Sequence, residues 1–300
     1  MRQACQMTQE ELAFGICSVE TLSRIENGRH GVKKETYRAL MEKMGRNHEY
    51  EYAICTGKDM ELLEEKKLIE DAIVRQEYEK AERYLRIVKR KISVNPINEQ
   101  YLKGEEALIA YYTGNIDAKE LVHLLGQAIE VTLPDYKDIW DESIIFPYTE
   151  QEILLQMSMA NAYGNHDERE VAVKIYRKLI LSLNAEYIDS KTTSELWMII
   201  NCNLFKTLGE MKQYEEALAL IEETLNMAHA QDYGHVIFNI LACGEWNGRK
   251  LKQKNEDNDM DMEKWKRMIR QAYYVAMARM DKSNVQAAKK YFMRCFEQEL

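Results

Sequence analysis

The residues best suited to recognition chemistry in this 300-residue chain are four asparagines set in apolar helical stretches. Asn161 lies in Met157-Ser-Met-Ala-Asn-Ala-Tyr163. Asn201 and Asn203 lie in Ile199-Ile-Asn-Cys-Asn-Leu-Phe205, and Asn239 lies in Val236-Ile-Phe-Asn-Ile-Leu241. Asparagine is a poor helix former because its side chain competes for backbone hydrogen bonds, so its presence there asks for a reason. One reason is peptide binding: a carboxamide pairs with both the N–H and the C=O of an extended peptide. Recurrence about every 40 residues would set such amides along a groove. The other reason is amides satisfied between packed helices. Covalent and metal chemistry find less support. Cys5, Cys17, Cys55, Cys202, Cys243 and Cys295 are scattered without a Cys-x-x-Cys pair, the pattern of reduced thiols. Asp257, Asp259 and Asp261 alternate as in a calcium loop, but the sixth and twelfth positions are Met262 and Met268, where glycine and glutamate are needed. The histidines show no H-E-x-x-H spacing and there is no glycine-rich phosphate loop. No enzyme activity, metal or cofactor is expected.

The elements that would position an interaction surface are clearest near the N-terminus. Thr8 and Glu11 form a T-x-x-E capping box, so a helix starts at about Gln9 with Leu12, Ala13 and Ile16 inward. Gly15, Cys17 and Ser18 mark a break, and Ser18 is a reasonable N-cap for the next helix. There Leu22 and Ile25 point to the core, while Val19, Glu20, Thr21, Ser23 and Arg24 stay on the outer face. Gly28 after Asn27 is a stop signal. Arg29, His30, Lys33 and Lys34 add positive charge beside it, and a third helix over about 34–44 offers Tyr37, Leu40, Met41 and Met44 to the core.

T-Q-E-E-L-A followed by S-x-x-T-L-S-R-I-E-N-G resembles the Cro/repressor-type (XRE) helix-turn-helix over residues 2–45. The resemblance implies DNA binding. Gln9 then matches a position contacting a phosphate or base edge. Val19, Glu20 and Arg24 match the positions that look into the major groove: Arg24 toward guanine O6/N7, Glu20 toward a cytosine amino group, Val19 toward a thymine methyl. Thr21, Asn27, Arg29 and Lys33 match backbone-contacting positions, which set register. The sequence departs from the pattern in two ways. It is one residue shorter between Ala13 and Ser18, and only Met1 to Met7 precede the pair, so the bracing first helix is expected to be shortened.

The remainder reads as paired amphipathic helices after a connection over 46–60. Gln76-Glu-Tyr-Glu-Lys-Ala-Glu82, Gly114-Asn-Ile-Asp-Ala-Lys119, His166-Asp-Glu-Arg-Glu-Val-Ala172 and Met211-Lys-Gln-Tyr-Glu-Glu-Ala-Leu218 share a turn-and-restart signature. Each places an alanine where a second helix packs closely on the first. Those alanines are spaced by 37, 54 and 45 residues, against about 34 for a regular tetratricopeptide array. The expectation is an all-α chain: a helix-turn-helix head over 1–45, then a degenerate tetratricopeptide-like right-handed superhelix over 61–300. The stretch 133–147 holds two of the three prolines and should break the array. Residues 249–264 should form a charged loop, and helices near 265–280 and 284–298 should cap the end.

The net charge of -9 argues against nucleic acid on its own, but it is uneven: residues 1–45 carry +1 and the rest -10. No stretch approaches 18 uncharged apolar residues, so no membrane span is expected. The start Met1-Arg-Gln-Ala-Cys lacks an apolar run, so no secretion signal is expected. A head of this type on such a body resembles the Rgg/PlcR/PrgX group of peptide-responsive regulators of Gram-positive bacteria. That resemblance implies a cytoplasmic, homodimeric transcriptional regulator whose repeat domain binds a short signalling peptide. The competing expectation is a tetratricopeptide interaction adaptor whose head no longer binds DNA.

Overall fold

Three short helices open the chain: α1 (Gln9–Ala13), α2 (Val19–Glu26) and α3 (Lys34–Lys43). The computed structural model describes residues 2, 7–26, 34–44, 57–92, 94, 96–133, 136, 148–166, 168–183, 190–230, 234–255, 262–280 and 282–299. Among them every regular element is an α-helix. The capping box forms as the sequence demands. The Glu11 amide donates to Thr8 Oγ1 at 3.1 Å, and the Thr8 amide donates to Glu11 Oε2 at 2.7 Å. Both are donors that a helix N-terminus otherwise leaves unmet. Gly15 takes φ +78° in the turn that follows, a conformation that costs glycine nothing. Leu12, Ala13, Leu22 and Leu40 form the small core, with Met7, Ile16, Cys17 and Met44 against it. Ile25, expected in this core, is only half-buried. Lys43 fastens α3 to the end of α1, its Nζ donating to the Phe14 carbonyl at 2.6 Å.

Eleven further helices follow among the described residues. They are α4 (Gly57–Val74), α5 (Tyr78–Lys91), α6 (Pro96–Tyr112), α7 (Ala118–Glu130), α8 (Glu150–Asn165), α9 (Arg169–Leu183), α10 (Ser190–Glu210), α11 (Tyr214–Ala230), α12 (Gly234–Lys254), α13 (Met262–Ala278) and α14 (Lys282–Phe296). Three of their turns repeat one device. Gln76, Gly114 and Lys212 take φ of +60°, +76° and +64°. Each amide donates three residues back, and the next amide donates five residues back: Glu77 to Ala72, Asn115 to Ala110, Gln213 to Leu208. This is the Schellman closure of a helix end. It returns the chain after only a few residues and produces the turn-and-restart signature. Ala81, Ala118, Ala172 and Ala217 are all buried, at most 4% exposed, as close helix packing requires.

The chain divides into two compact units, residues 1–162 with 184–187, and 163–183 with 188–300. In the first unit, Ile69, Ala72, Ala81, Leu85, Val88, Tyr101 and Ile109 form a core between α4, α5 and α6. A buried polar chain joins α6, α7 and α8. Gln100 Nε2 donates to Thr132 Oγ1 at 2.6 Å, and Thr132 Oγ1 donates to Glu152 Oε1 at 2.7 Å. In the second unit, Arg169 and Arg177 of α9 pair with Glu210 and Glu216. Gly209 allows α10 and α12 to meet, since a Cβ there would stand 2.7 Å from the Trp246 ring. Ile269, Phe292 and Phe296 join the last helices.

Two sequence expectations need adjustment. The ends of the charged stretch 249–264 are helical, since α12 runs to Lys254 and α13 begins at Met262, and 256–261 lie outside the described residues. The reason is Arg249, whose Nε donates to Glu245 Oε1 at 2.8 Å one turn back and whose guanidinium reaches Tyr291 on α14. α4 begins at Gly57, inside the expected connection, and 46–56 lie outside the described residues. Of the proline-bearing stretch, Leu133 and Tyr136 are described; both are buried, and the Tyr136 hydroxyl donates to the Met159 sulfur at 3.7 Å.

Candidate functional site

The outer face of α2 is set by how its start is capped. The Thr21 amide donates to Ser18 Oγ at 3.1 Å, and the two hydroxyls lie 2.7 Å apart, so Ser18 is the N-cap. That cap and the burial of Leu22 fix the rotation of the helix. Val19, Glu20 and Arg24 consequently stand exposed, and Thr21 is half-buried. Glu20 and Arg24 are one turn apart and pair at 2.5 Å. An exposed pair of this kind is worth only a few tenths of a kcal/mol. Either side chain can therefore be given up to a stronger partner at little cost.

The base of the motif is held by Glu26. Burial pushes its carboxyl up, but hydrogen bonds from Arg2 and Gln9 outweigh it and hold the group below the ordinary carboxylate range. Arg2 Nε donates at 2.7 Å and Gln9 Nε2 at 2.6 Å, and the Arg2 guanidinium also reaches the Met7 carbonyl. This clamp ties the chain before α1 to the end of α2. Gln9 thus uses an amide N–H inside the head. Asn27, Arg29 and Lys33, the other expected contacts, lie outside the described residues.

The four asparagines differ from one another. Asn201 is buried, at 1% exposed. Its Nδ2 donates to the Trp197 carbonyl at 2.8 Å, one turn back, and its Oδ1 has no hydrogen-bond partner. A buried acceptor left unmet costs on the order of 1–3 kcal/mol, so its presence marks a site with something to gain from a donor. Asn203 is two residues further, about 200° around the helix. It is half-buried, so it and Asn201 face different directions. Asn239 on α12 is exposed, and Asn161 on α8 is half-buried and already bonded. The structure adds Asn247, which the sequence reading missed. It is fully buried, its Nδ2 donates to the Cys243 carbonyl at 2.9 Å, and its Oδ1 also lacks a partner. The signal was its place two helical turns after Asn239.

No group of three or more His, Cys, Asp or Glu able to hold a metal occurs among the described residues. Nor is any described helix long and apolar enough to cross a membrane.

Compared by sequence with curated proteins, the chain matches none. Residues 1–50 match the helix-turn-helix family model. Among solved structures, Bacillus thuringiensis PlcR in complex with the peptide PapR7 and DNA is 15% identical, with a TM-score of 0.64 over 96% of this chain and 95% of that one. ComR from S. thermophilus, in complex with DNA and its signalling peptide ComS, is 12% identical, with a TM-score of 0.56 over 98% and 96%. The SHP pheromone receptor Rgg2 of Streptococcus dysgalactiae is 15% identical, with a TM-score of 0.50 over 98% and 96%. At these identities the likeness is one of fold: the chain is a helix-turn-helix head followed by a tetratricopeptide-like body of paired helices, and it superposes on these three structures along nearly its whole length.

Proposed function

We propose that this chain is a cytoplasmic, DNA-binding transcriptional regulator whose repeat domain senses a short signalling peptide. The observation that carries the reading is the outward display of Val19, Glu20 and Arg24 by a capped second helix within a helix-turn-helix head. In that reading the head spans 1–45, a connection 46–60, and the repeat domain 61–300. Gln9, Val19, Glu20, Thr21, Arg24, Asn27, Arg29 and Lys33 meet duplex DNA. Of the asparagines expected to meet the peptide, Asn161, Asn201, Asn203 and Asn239, the strongest is Asn201, because its buried Oδ1 awaits a donor, whereas Asn203 faces another way on α10 and Asn161 is already bonded. The active species is a homodimer, since paired heads read paired half-sites. Support for the peptide comes from the fold shared with PlcR and ComR, both solved with DNA and a peptide. A peptide that binds one arrangement of the repeats better than another shifts the population toward it.

Mobility shifts of the full chain with genomic fragments upstream of and around its gene, at low salt, test the DNA reading. Retention at micromolar protein, lost on Arg24→Ala for specific but not for unrelated fragments, is the expected result. No retention of any duplex would leave only the adaptor reading. Calorimetry with peptides encoded near the gene tests the second half, and Asn201→Ala should weaken any binding by roughly tenfold, the effect of one lost hydrogen bond of about 1.4 kcal/mol.

A further inference from the structure

A second charged surface lies on α5. In an otherwise acidic chain, its sequence Tyr-Glu-Lys-Ala-Glu-Arg-Tyr-Leu-Arg-Ile-Val-Lys-Arg-Lys holds six cations and two carboxylates. The cations divide by position. Ala81, Leu85 and Val88 face the core. The lysines on the flanks are used internally: Lys89 pairs with Glu106 of α6 and Lys91 with Glu65 of α4, each at 2.5 Å. They strap α5 to its neighbours on both sides. Arg83, Arg86 and Arg90 point away from the core, within an arc of about 60° that also holds Glu79 at its N-terminal end, and over about 10 Å of helix. Arg86 makes only a loose 3.5 Å contact with Glu82 on its own helix. Arg83 and Arg90 are exposed and have no ion-pair partner among the described residues.

We propose that this arginine face is a second DNA contact, binding the phosphate backbone of the duplex without reading its sequence. The inference rests on the reading of the head as DNA-binding. Three observations favour phosphate as the occupant. The cations of this arc are all arginine, whose planar fork matches phosphate oxygens two at a time. Their span equals the rise of about three phosphates along one strand. The only exposed apolar side chain among them is Ile87, too little to anchor a protein partner. The face also answers a physical difficulty. The head's first 45 residues carry a net charge of only +1, and affinity for DNA comes largely from neutralised phosphates.

The test uses the full chain and two labelled duplexes of about 40 base pairs, one from the bound genomic fragment and one of random sequence, across a salt series. Each phosphate contact contributes about 0.9 to the slope of log affinity against log salt. Replacing Arg83, Arg86 and Arg90 together by alanine should lower the slope by about 2–3 on both duplexes and leave their affinity ratio unchanged. The triple lysine variant should keep most of the slope, which separates charge from folding. Arg24→Ala should do the reverse, collapsing the ratio between duplexes while changing the slope by less than about 1. A wild-type chain that binds neither duplex defeats the reading of the head itself. A wild-type chain that binds, with a triple alanine variant of unchanged slope, defeats the second contact alone. So does a triple variant whose only change is its sedimentation, since α5 would then cover a second copy of the chain.

Discussion

Glu105 shows how far a single side chain can depart from its usual chemistry here. It sits on α6, 7% exposed, with Oε2 buried and without a hydrogen-bond partner. Burial first, then the neighbouring carboxylate of Glu70, pushes its carboxyl up to about 7, and Lys66 offsets only part of this. Lys66 is placed for the role, its Nζ 4.3 Å from the Tyr101 ring centroid. The fold therefore prefers the neutral acid. Between about 4.5 and 7 the folded chain holds a proton that the unfolded chain has released, so stability falls as pH rises through that window and levels off above it. Glu105→Gln keeps the shape and removes the charge. Its thermal midpoint should match the wild type near pH 4 and exceed it at pH 8, by the equivalent of about 1–3 kcal/mol. A variant that follows the wild type at every pH would mean that the carboxylate is hydrated in solution.

At the scale of elements, the turns carry the prediction. Gly114, Gln76 and Lys212 share one left-handed turn position, yet only one of them is glycine. An L-residue there costs about 1 kcal/mol through its Cβ. A Cβ built on Gly114 meets nothing within 4 Å, so Gly114→Ala isolates the backbone cost and should destabilise by about 1 kcal/mol. Lys212→Gly should do the opposite and gain somewhat less, because glycine also loosens the unfolded chain. Urea titrations of the two variants read both signs; a Lys212→Gly midpoint below wild type would show that the side chain, not the backbone, decides that turn. These turns were legible in the sequence because helix stops, restarts and close-packed alanines are local. So was the head, where Thr8, Glu11, Ser18 and Leu22 each act within four residues. What stayed hidden depends on distant partners. The extension of α12 rests on Arg249 meeting Glu245 and, 42 residues away, Tyr291. The arginine face of α5 could not be told from an ordinary charged surface until Lys89 and Lys91 were seen to be engaged and Arg83 and Arg90 not. Helical periodicity marks Asn201 and Asn203 as amides in an apolar stretch, but only the packing shows which of them is buried.

At the scale of the whole molecule, the proposed function is a statement about coupling between two ligands, and coupling is reciprocal. A peptide that changes the affinity for DNA by some factor must have its own affinity changed by DNA by the same factor. A tenfold effect corresponds to about 1.4 kcal/mol, well within the reach of one buried amide such as Asn201 gaining a donor. The expected experiment has two arms at a single protein concentration and salt, since assembly and counterion release both alter apparent affinity. One follows DNA binding by anisotropy with and without saturating peptide. The other follows peptide binding by calorimetry with and without saturating duplex. Agreement of the two factors within error, and their joint collapse toward one in Asn201→Ala, places the amide on the coupled equilibrium. If saturating peptide leaves DNA affinity unchanged and saturating duplex leaves peptide affinity unchanged, although each ligand binds, the two ligands do not act on one equilibrium of this chain. The regulator reading would then have to give way to a head and a repeat domain that work independently.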